Sequence, residues 1–313
     1  MNVGSEVPTR RVVAIFGPTG SGKTEVVIEL AELLAGRGWR SIAINCDSMQ
    51  VYRGMEILTG APSPAQLRRL EHRLVGMVSA SEEFSAGEFG RLARDEIDAA
   101  LEEGTWPLLV GGTGLYMRSA LTDLELRPVI PEATSVAIDK EMERVGPEVL
   151  HQRLPGDVAA WVEPTDRKRI ARYLGLIEIG HRPAPPSSEG GALWDAPFRR
   201  PTVAVGLLLD RDALQERVER RVRRMAEEGA IDEARAVIAS GPSRTAGKAI
   251  GLREFADEDL AGAVRGHLAL ARRQNTWLRR SPGLLEIDRT DLTDRQVAAR
   301  ILGEILGETG REA

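Results

Sequence analysis

Apolar and polar positions in the first half of the chain alternate between short hydrophobic runs and amphipathic stretches. Val12-Val13-Ala14-Ile15-Phe16 is an apolar run of buried-strand type, and Val27, Leu30, Ala31 and Leu34 follow it at helical spacing, closed by Gly38. A second run, Ser41 to Asn45, ends at Cys46-Asp47. A third, Pro107 to Val110, comes after an amphipathic helix from about Phe89 to Leu101. This alternation predicts a parallel sheet covered by helices on both faces. All three strands lead at their carboxyl ends into polar or glycine-rich turns, where open α/β sheets bind ligands.

Past Leu126 the pattern changes to short helical stretches, with no clear strand until Thr202 to Leu209 returns to the sheet. The expected organisation is a catalytic core formed by 1–126 and 200–313, with a helical insertion over 127–199. Five prolines from His181 to Pro201, with Ser187-Ser188-Glu189-Gly190-Gly191 among them, predict an exposed, mobile loop. From Arg211 onward the chain reads as helical and polar. Leu214, Val218, Val222 and Met225 form the inner stripe of one such helix, while Arg217, Arg221 and Arg224 share another face.

Local chemistry sharpens this outline most at Gly17-Pro18-Thr19-Gly20-Ser21-Gly22-Lys23-Thr24, which fits G-x-x-x-x-G-K-[ST] between a strand and a helix. In that spacing backbone N–H groups wrap phosphate oxygens, Lys23 neutralises them, and the Thr24 hydroxyl is placed to bind Mg²⁺. The fold class expected is α/β, a P-loop NTPase-like parallel sheet covered by helices, with a helical insertion domain. Whether the bound phosphate is a donor being cleaved or a leaving group stays open at this point.

Composition removes several classes. An apolar fraction of 42% over 313 residues is that of a globular core, and a single cysteine, Cys46, excludes an intramolecular disulfide framework. One Cys and four scattered His make no zinc site. No run approaches the roughly 20 apolar residues of a membrane span, and Met1 to Arg11 lacks a signal-peptide apolar core, so a cytoplasmic protein with no membrane partner is expected. The net charge of −5 argues only weakly against nucleic acid, because three basic clusters stand out: 167–172, 217–224, and Arg272-Arg273 with Arg279-Arg280.

Asp47, at the end of the second strand, is placed to face bound phosphates and an acceptor, as a general base must; alternatively it caps the following turn. Cys46 beside it reads as packing. The arginine face is suited to charge building on a departing phosphoryl or diphosphate oxygen. Asp210 is either a Walker-B carboxylate on Mg²⁺ or the cap of the helix that follows. Gly111-Gly112-Thr113-Gly114 has no acidic residue after Val110, which tilts against a motor or switch ATPase. Its glycines let something approach the backbone closely, unless they make only a tight turn.

Several blocks taken together resemble the tRNA dimethylallyltransferases, also called tRNA isopentenyltransferases. They are Gly17 to Thr24, Asp47-Ser48-Met49-Gln50-Val51-Tyr52-Arg53-Gly54-Met55, Phe84-Ser85-Ala86-Gly87-Glu88-Phe89, Gly111-Gly112-Thr113-Gly114-Leu115-Tyr116, Asp166-Arg167-Lys168-Arg169-Ile170, Ala249-Ile250-Gly251, and Arg273-Gln274-Asn275-Thr276-Trp277-Leu278-Arg279. They recur in family order from about Val12 to Arg279. The resemblance implies transfer of a dimethylallyl group from dimethylallyl diphosphate to N6 of adenine 37 beside the tRNA anticodon, with diphosphate released.

On that resemblance Asp47 takes the amine proton. Lys23, Mg²⁺ at Thr24, and Arg217 or Arg221 stabilise the diphosphate held by Gly17 to Thr24, and Thr19 faces the reaction centre. Asp47, Ser48, Met49, Gln50 and Thr113 are implied at the target adenine. Lys168, Arg169, Ile170, Ala171 and Arg172 are implied on the tRNA, whose base is extruded to reach the pocket. A monomer working on the anticodon stem-loop is expected. Departures occur at Ile250-Gly251-Leu252-Arg253-Glu254, where relatives usually carry Ile-Gly-Tyr-Lys-Glu, in a shorter segment from Phe255 to Leu270, and near Ser135, where an arginine is common. They bear on tRNA contacts more than on diphosphate chemistry. A small-molecule P-loop kinase and a catalytically impaired RNA-binding relative are the competing expectations.

Overall fold

The computed structural model describes residues 9–124, 128–183 and 196–307. Among them the chain forms β1 (Val12–Phe16), α1 (Lys23–Ala35), β2 (Ser41–Asn45), β3 (Tyr52–Arg53), α2 (Glu56–Thr59), α3 (Pro64–Arg69), β4 (His72–Arg73), β5 (Val78–Ser79), α4 (Ala86–Glu102), β6 (Trp106–Gly111) and α5 (Gly114–Leu121). There follow α6 (Glu132–Val145), α7 (Pro147–His151), α8 (Gly156–Ala159), α9 (Arg167–Glu178), β7 (Thr202–Leu208), α10 (Arg211–Glu227), α11 (Ala230–Ala239), α12 (Leu252–Ala256), α13 (Leu260–Arg280), β8 (Leu285–Asp288) and α14 (Asp294–Leu306).

The main sheet has the order β4-β2-β6-β1-β7-β8, and every pairing in it is parallel. Its central strand β1 is buried along its whole length, which explains a continuous apolar run in place of alternation. One face packs against α1 and α14 through residues such as Val27, Leu30, Leu34, Val297 and Ile301. The other face packs against α4, α5 and α10, where Phe89, Ile97, Met117, Val218 and Val222 lie. The inner stripe expected on α10 is buried throughout.

Two parts of this sheet escape the hydrophobic pattern. The segment after Arg211 is not all helix: β8 adds a sixth strand beside β7, with Ile287 buried and Glu286 and Asp288 exposed. Four residues of alternation are too few to mark a strand before the neighbouring edge exists. The two-residue β4 on the opposite edge gives no periodic signal at all, and it pairs only with Ala43 and Ile44.

The chain divides into two compact units, Met1–Asp123 with Pro197–Ala313, and Leu124–Ala196. The smaller unit is helical among its described residues, with a core of Ile138, Met142, Leu150, Val158, Ile170 and Leu174. Gly175 admits Ile130 there, whose Cδ1 would stand 2.6 Å from an added Cβ. The proline-rich stretch expected to be mobile is centred on 184–195, outside the described residues.

Candidate functional site

The parallel order sends β1, β2 and β6 to the same edge of the sheet, so the loops after them meet. The P-loop enters α1 through Gly22, whose φ of +78° is in the left-handed region and whose missing Cβ leaves space for Arg289 Nη1. Arg289 is 1% exposed, at the end of β8. It donates to Ser21 O at 2.5 Å and pairs with Asp294 at 2.8 Å, bracing the loop from behind.

Lys23 Nζ donates to Gly17 O at 2.9 Å and Pro18 O at 3.0 Å, which leaves one of its three protons for an anion. Burial lowers its pKa to about 8, and Arg221 pushes the same way while Asp47 opposes. Arg221 loses proton affinity for the same first reason, burial, again opposed by Asp47.

Asp47 is fixed by its neighbours. Its backbone N–H donates to Asn45 Oδ1 at 3.0 Å, and its Oδ1 accepts from Met49 N–H at 2.9 Å. It therefore caps the turn, through Met49, and it lines the cavity. Ser48 N–H donates to Thr113 Oγ1 at 3.2 Å, tying this turn to the one after β6. Cys46 is fully buried, and burial drives its thiol far above the usual range, so it packs and does not react.

The glycines at Gly111-Gly112-Thr113-Gly114 accommodate the protein's own atoms. A Cβ on Gly111 would collide with the Cys46 carbonyl, one on Gly112 with the Gln274 amide, and one on Gly114 with the Trp277 ring. Gln274 lies within the block from Arg273 to Arg279, yet no place in the site is expected for it from sequence. It is 6% exposed, and its Oε1 accepts from Thr19 N–H at 2.7 Å, so it is wedged between the two glycine-rich loops. The available signal is a polar side chain on the buried stripe of α13, in line with Ala263, His267, Ala271 and Leu278.

These elements enclose a cavity of about 1050 Å³ within the larger unit, lined by Thr19, Gly20, Gly22, Lys23, Thr24, Asp47, Met49, Gln50 and Arg221. The lining also includes apolar Ile57, Leu58, Met225, Ala249, Ile250 and Leu270, together with Gln274, His267 and the acidic Glu25, Glu56, Glu228 and Glu233. His267 is buried, with Nδ1 on Ala263 O at 2.9 Å; burial lowers its pKa to about 4, so it is neutral at neutral pH. Gln50 donates to Gly60 O at 3.0 Å, and Arg221 to Thr59 O at 3.2 Å.

Not every expected residue arrives. Arg217, one turn before Arg221, is not on the cavity wall and stands near Arg289 and Asp294 instead; Arg224, on the same helix face, does line the cavity. Asp210 accepts from Ala213 N–H at 2.7 Å as the N-cap of α10, the alternative to a Walker-B role. In the smaller unit Lys168, Arg169 and Arg172 are exposed on α9, but Ile170 is fully buried. Its side chain is core and cannot touch RNA. Leu252, one of the departures, is buried at the start of α12.

A P-loop on a fully parallel sheet, opening into a cavity lined by Lys23 and Arg221 as well as by apolar side chains, places the chain in the P-loop class. Two family models match the chain: IPP transferase over residues 50–281 and Isopentenyl transferase over residues 10–83. A tRNA dimethylallyltransferase of Streptomyces coelicolor is 38% identical over 293 residues, covering 89% of this chain and 90% of the relative. One from Parvibaculum lavamentivorans is also 38% identical, over 87% and 88% of the two chains. The crystal structure of the full-length tRNA isopentenylpyrophosphate transferase from Bacillus halodurans is similar with a TM-score of 0.66 at 30% identity, over 97% of this chain and 99% of that one. A eukaryotic dimethylallyltransferase acting on tRNA shares the fold, at a TM-score of 0.73 and 23% identity, over 96% and 79%.

This chain belongs to the tRNA dimethylallyltransferase family of prenyltransferases. No helix among the described residues is long and apolar enough to cross a membrane.

Proposed function

We propose that this chain transfers the dimethylallyl group of dimethylallyl diphosphate to N6 of adenine 37 in the tRNA anticodon loop. The single observation that carries the proposal is that the P-loop, Asp47 and Arg221 line one cavity together with apolar Ile57, Leu58, Met225, Ile250 and Leu270.

The free proton of Lys23 and the N–H groups of the P-loop bind the diphosphate, and Arg221 neutralises charge on it as the allylic C–O bond breaks. The adenine N6 lone pair forms the new C–N bond, and the proton it sheds passes to Asp47. Because Asp47 Oδ1 is engaged by Met49 N–H, the second carboxylate oxygen is the acceptor. Ser48, Met49 and Gln50, with Thr113 bonded to Ser48 from the turn after β6, lie beside the base, and Thr19 faces the reacting carbon. Diphosphate leaves with its electron pair, so the P-loop serves a leaving group rather than ATP.

Mg²⁺ suits this donor set. One hydroxyl, Thr24 Oγ1, with no cluster of three acidic, His or Cys residues among the described ones, fits an ion that keeps water and substrate phosphate oxygens as its other ligands. Thr24 would hold it, and when bound it supplies further charge neutralisation on the diphosphate. The exposed Lys168, Arg169 and Arg172 of α9 grip the RNA backbone, with Ala171 beside them and Ile170 supporting the helix from below. The smaller unit thus serves as the tRNA-binding insertion.

The test is incubation with dimethylallyl diphosphate, Mg²⁺ and undermodified tRNA, followed by digestion and mass spectrometry. N6-dimethylallyladenosine at position 37 is expected. Its absence beside an active relative, with saturable ATP consumption on a small acceptor, would replace the proposal with a kinase. Tight anticodon stem-loop binding without turnover would instead indicate an RNA-binding relative.

A further inference from the structure

Arg221 reaches the cavity from α10, yet the bond that aims it comes from elsewhere. Its Nη2 donates to Thr59 O at 3.2 Å, while its Nε is buried without a hydrogen-bond partner. The guanidinium lies so close to Gly60, whose φ is +61°, that a Cβ there would collide with it. The position of this cation is therefore set by the 59–60 backbone, which ends α2.

α2 is a single turn, too short to hold itself together, and its N-cap Met55 makes no side-chain cap. Its first-turn donors are satisfied across the fold by α11. Glu233 Oε2 accepts from Ile57 N–H at 3.1 Å and Oε1 from Leu58 N–H at 2.7 Å. One half-buried carboxylate thus binds two adjacent backbone donors, a charge-assisted pair that also complements the helix dipole. The same Glu233 lines the cavity, 12 residues after Arg221 in the chain.

We propose that Glu233 is a positioning residue for the diphosphate clamp: it pins the N-terminus of α2 so that the Thr59 carbonyl at the other end holds Arg221 against the leaving group. It rests on the reading that diphosphate occupies the Lys23 and Arg221 end of the cavity. Gln50 donates to the same 59–60 carbonyls from its own turn after β2.

Glu233→Gln keeps shape but retains one acceptor oxygen, and turns an N–H₂ toward a backbone donor. The experiment is isothermal titration of inorganic diphosphate with Mg²⁺ into the full chain, as a cycle of wild type, E233Q, R221A and the double variant, with melting temperatures alongside. E233Q is expected to weaken diphosphate binding about tenfold in the wild-type background and less than twofold when Arg221 is absent. In turnover, KM for dimethylallyl diphosphate should rise about as much while KM for tRNA stays within twofold. Equal losses in both backgrounds, unchanged affinity, or no diphosphate binding by the wild type would overturn it. If E233Q does not fold, Glu233→Asp, with its shorter reach, enters the same cycle. A coupled cycle in a protein that makes no N6-dimethylallyladenosine would sink the proposed reaction while leaving the relay in place.

Discussion

Two glycine-rich loops meet at the edge of the sheet, and their glycines are needed for partly different reasons. In Gly17 to Thr24 the glycines shape the backbone: Gly20 and Gly22 hold φ of +84° and +78°, which frees N–H groups for an anion. In Gly111 to Gly114 no glycine has positive φ, and each is small because another part of the chain occupies the place of its Cβ. The second loop is built for assembly alone, whereas Gly22 in the first serves both backbone shape and the approach of Arg289. Gln274 joins them, bonded to Thr19 and packed on Gly112.

The comparison can be broken by substitutions that separate chemistry from assembly. The largest effect is expected at Asp47, which serves the site but sits on the turn that Gly111 packs against. Asp47→Asn keeps the oxygen that accepts from Met49 and removes the base, so kcat should fall roughly 1000-fold with donor KM nearly unchanged. Pre-steady-state single-turnover kinetics would check this. Lys23→Ala should weaken diphosphate binding about 100-fold, roughly 2.7 kcal/mol, with little change in melting temperature, as read by titration and thermal unfolding. Gly111→Ala should do the reverse, destabilising the fold by about 2 kcal/mol through overpacking against the Cys46 carbonyl. A Gly111→Ala protein with normal melting but no diphosphate binding would contradict the assembly role.

A smaller effect concerns pH. Lys23 loses its charge near pH 8, and a bound anion restores it, so diphosphate affinity should fall by at most tenfold per unit as pH rises above about 8. In Lys23→Arg, whose charge persists, the fall should be absent up to pH 10. The sign for folding is opposite. The folded pKa lies below the usual 10.5, so the unliganded protein gains stability as pH rises from about 8 toward that value. His267 contributes at the acid end. Its pKa of about 4 means stability is lost as pH falls from 6.5 toward 4, by about 2 kcal/mol at pH 5. Thermal melts of His267→Asn against wild type would show the acid-side loss reduced.

Much of the core was legible because local periodicity coincides with burial. β1, β2 and β7 begin at the residues the apolar runs mark, and the α10 stripe of Leu214, Val218, Val222 and Met225 is buried as its spacing predicts. The P-loop and Asp47 were legible for a different reason: phosphate binding demands specific residue types at fixed spacing on one continuous segment. Arg217 and Arg221 share a face of one helix and could not be told apart by spacing, since only the loop at Thr59 and Gly60 decides which one reaches the cavity. Ile170 lies in a basic block that reads as RNA-facing, yet the amphipathic turn of α9 carries it inward.

By itself, then, the sequence determined a P-loop on a parallel α/β core, a helical insertion, and the blocks that mark a prenyl-transferring family. Tertiary structure alone decided the edges of the sheet, the burial of Arg289 behind the P-loop, the wedge of Gln274 and the hold of Glu233 on α2. The physical reason is one of range. Strand, helix and phosphate loop are set by interactions within about ten residues of chain, whereas Arg289 meets Ser21 across 268 positions, Thr19 meets Gln274 across 255, and Leu58 meets Glu233 across 175. A periodic pattern can mark such a side chain as buried, as it does Gln274, but it does not name the partner, because each contact is a single side chain answering a backbone group that only the folded sheet brings near.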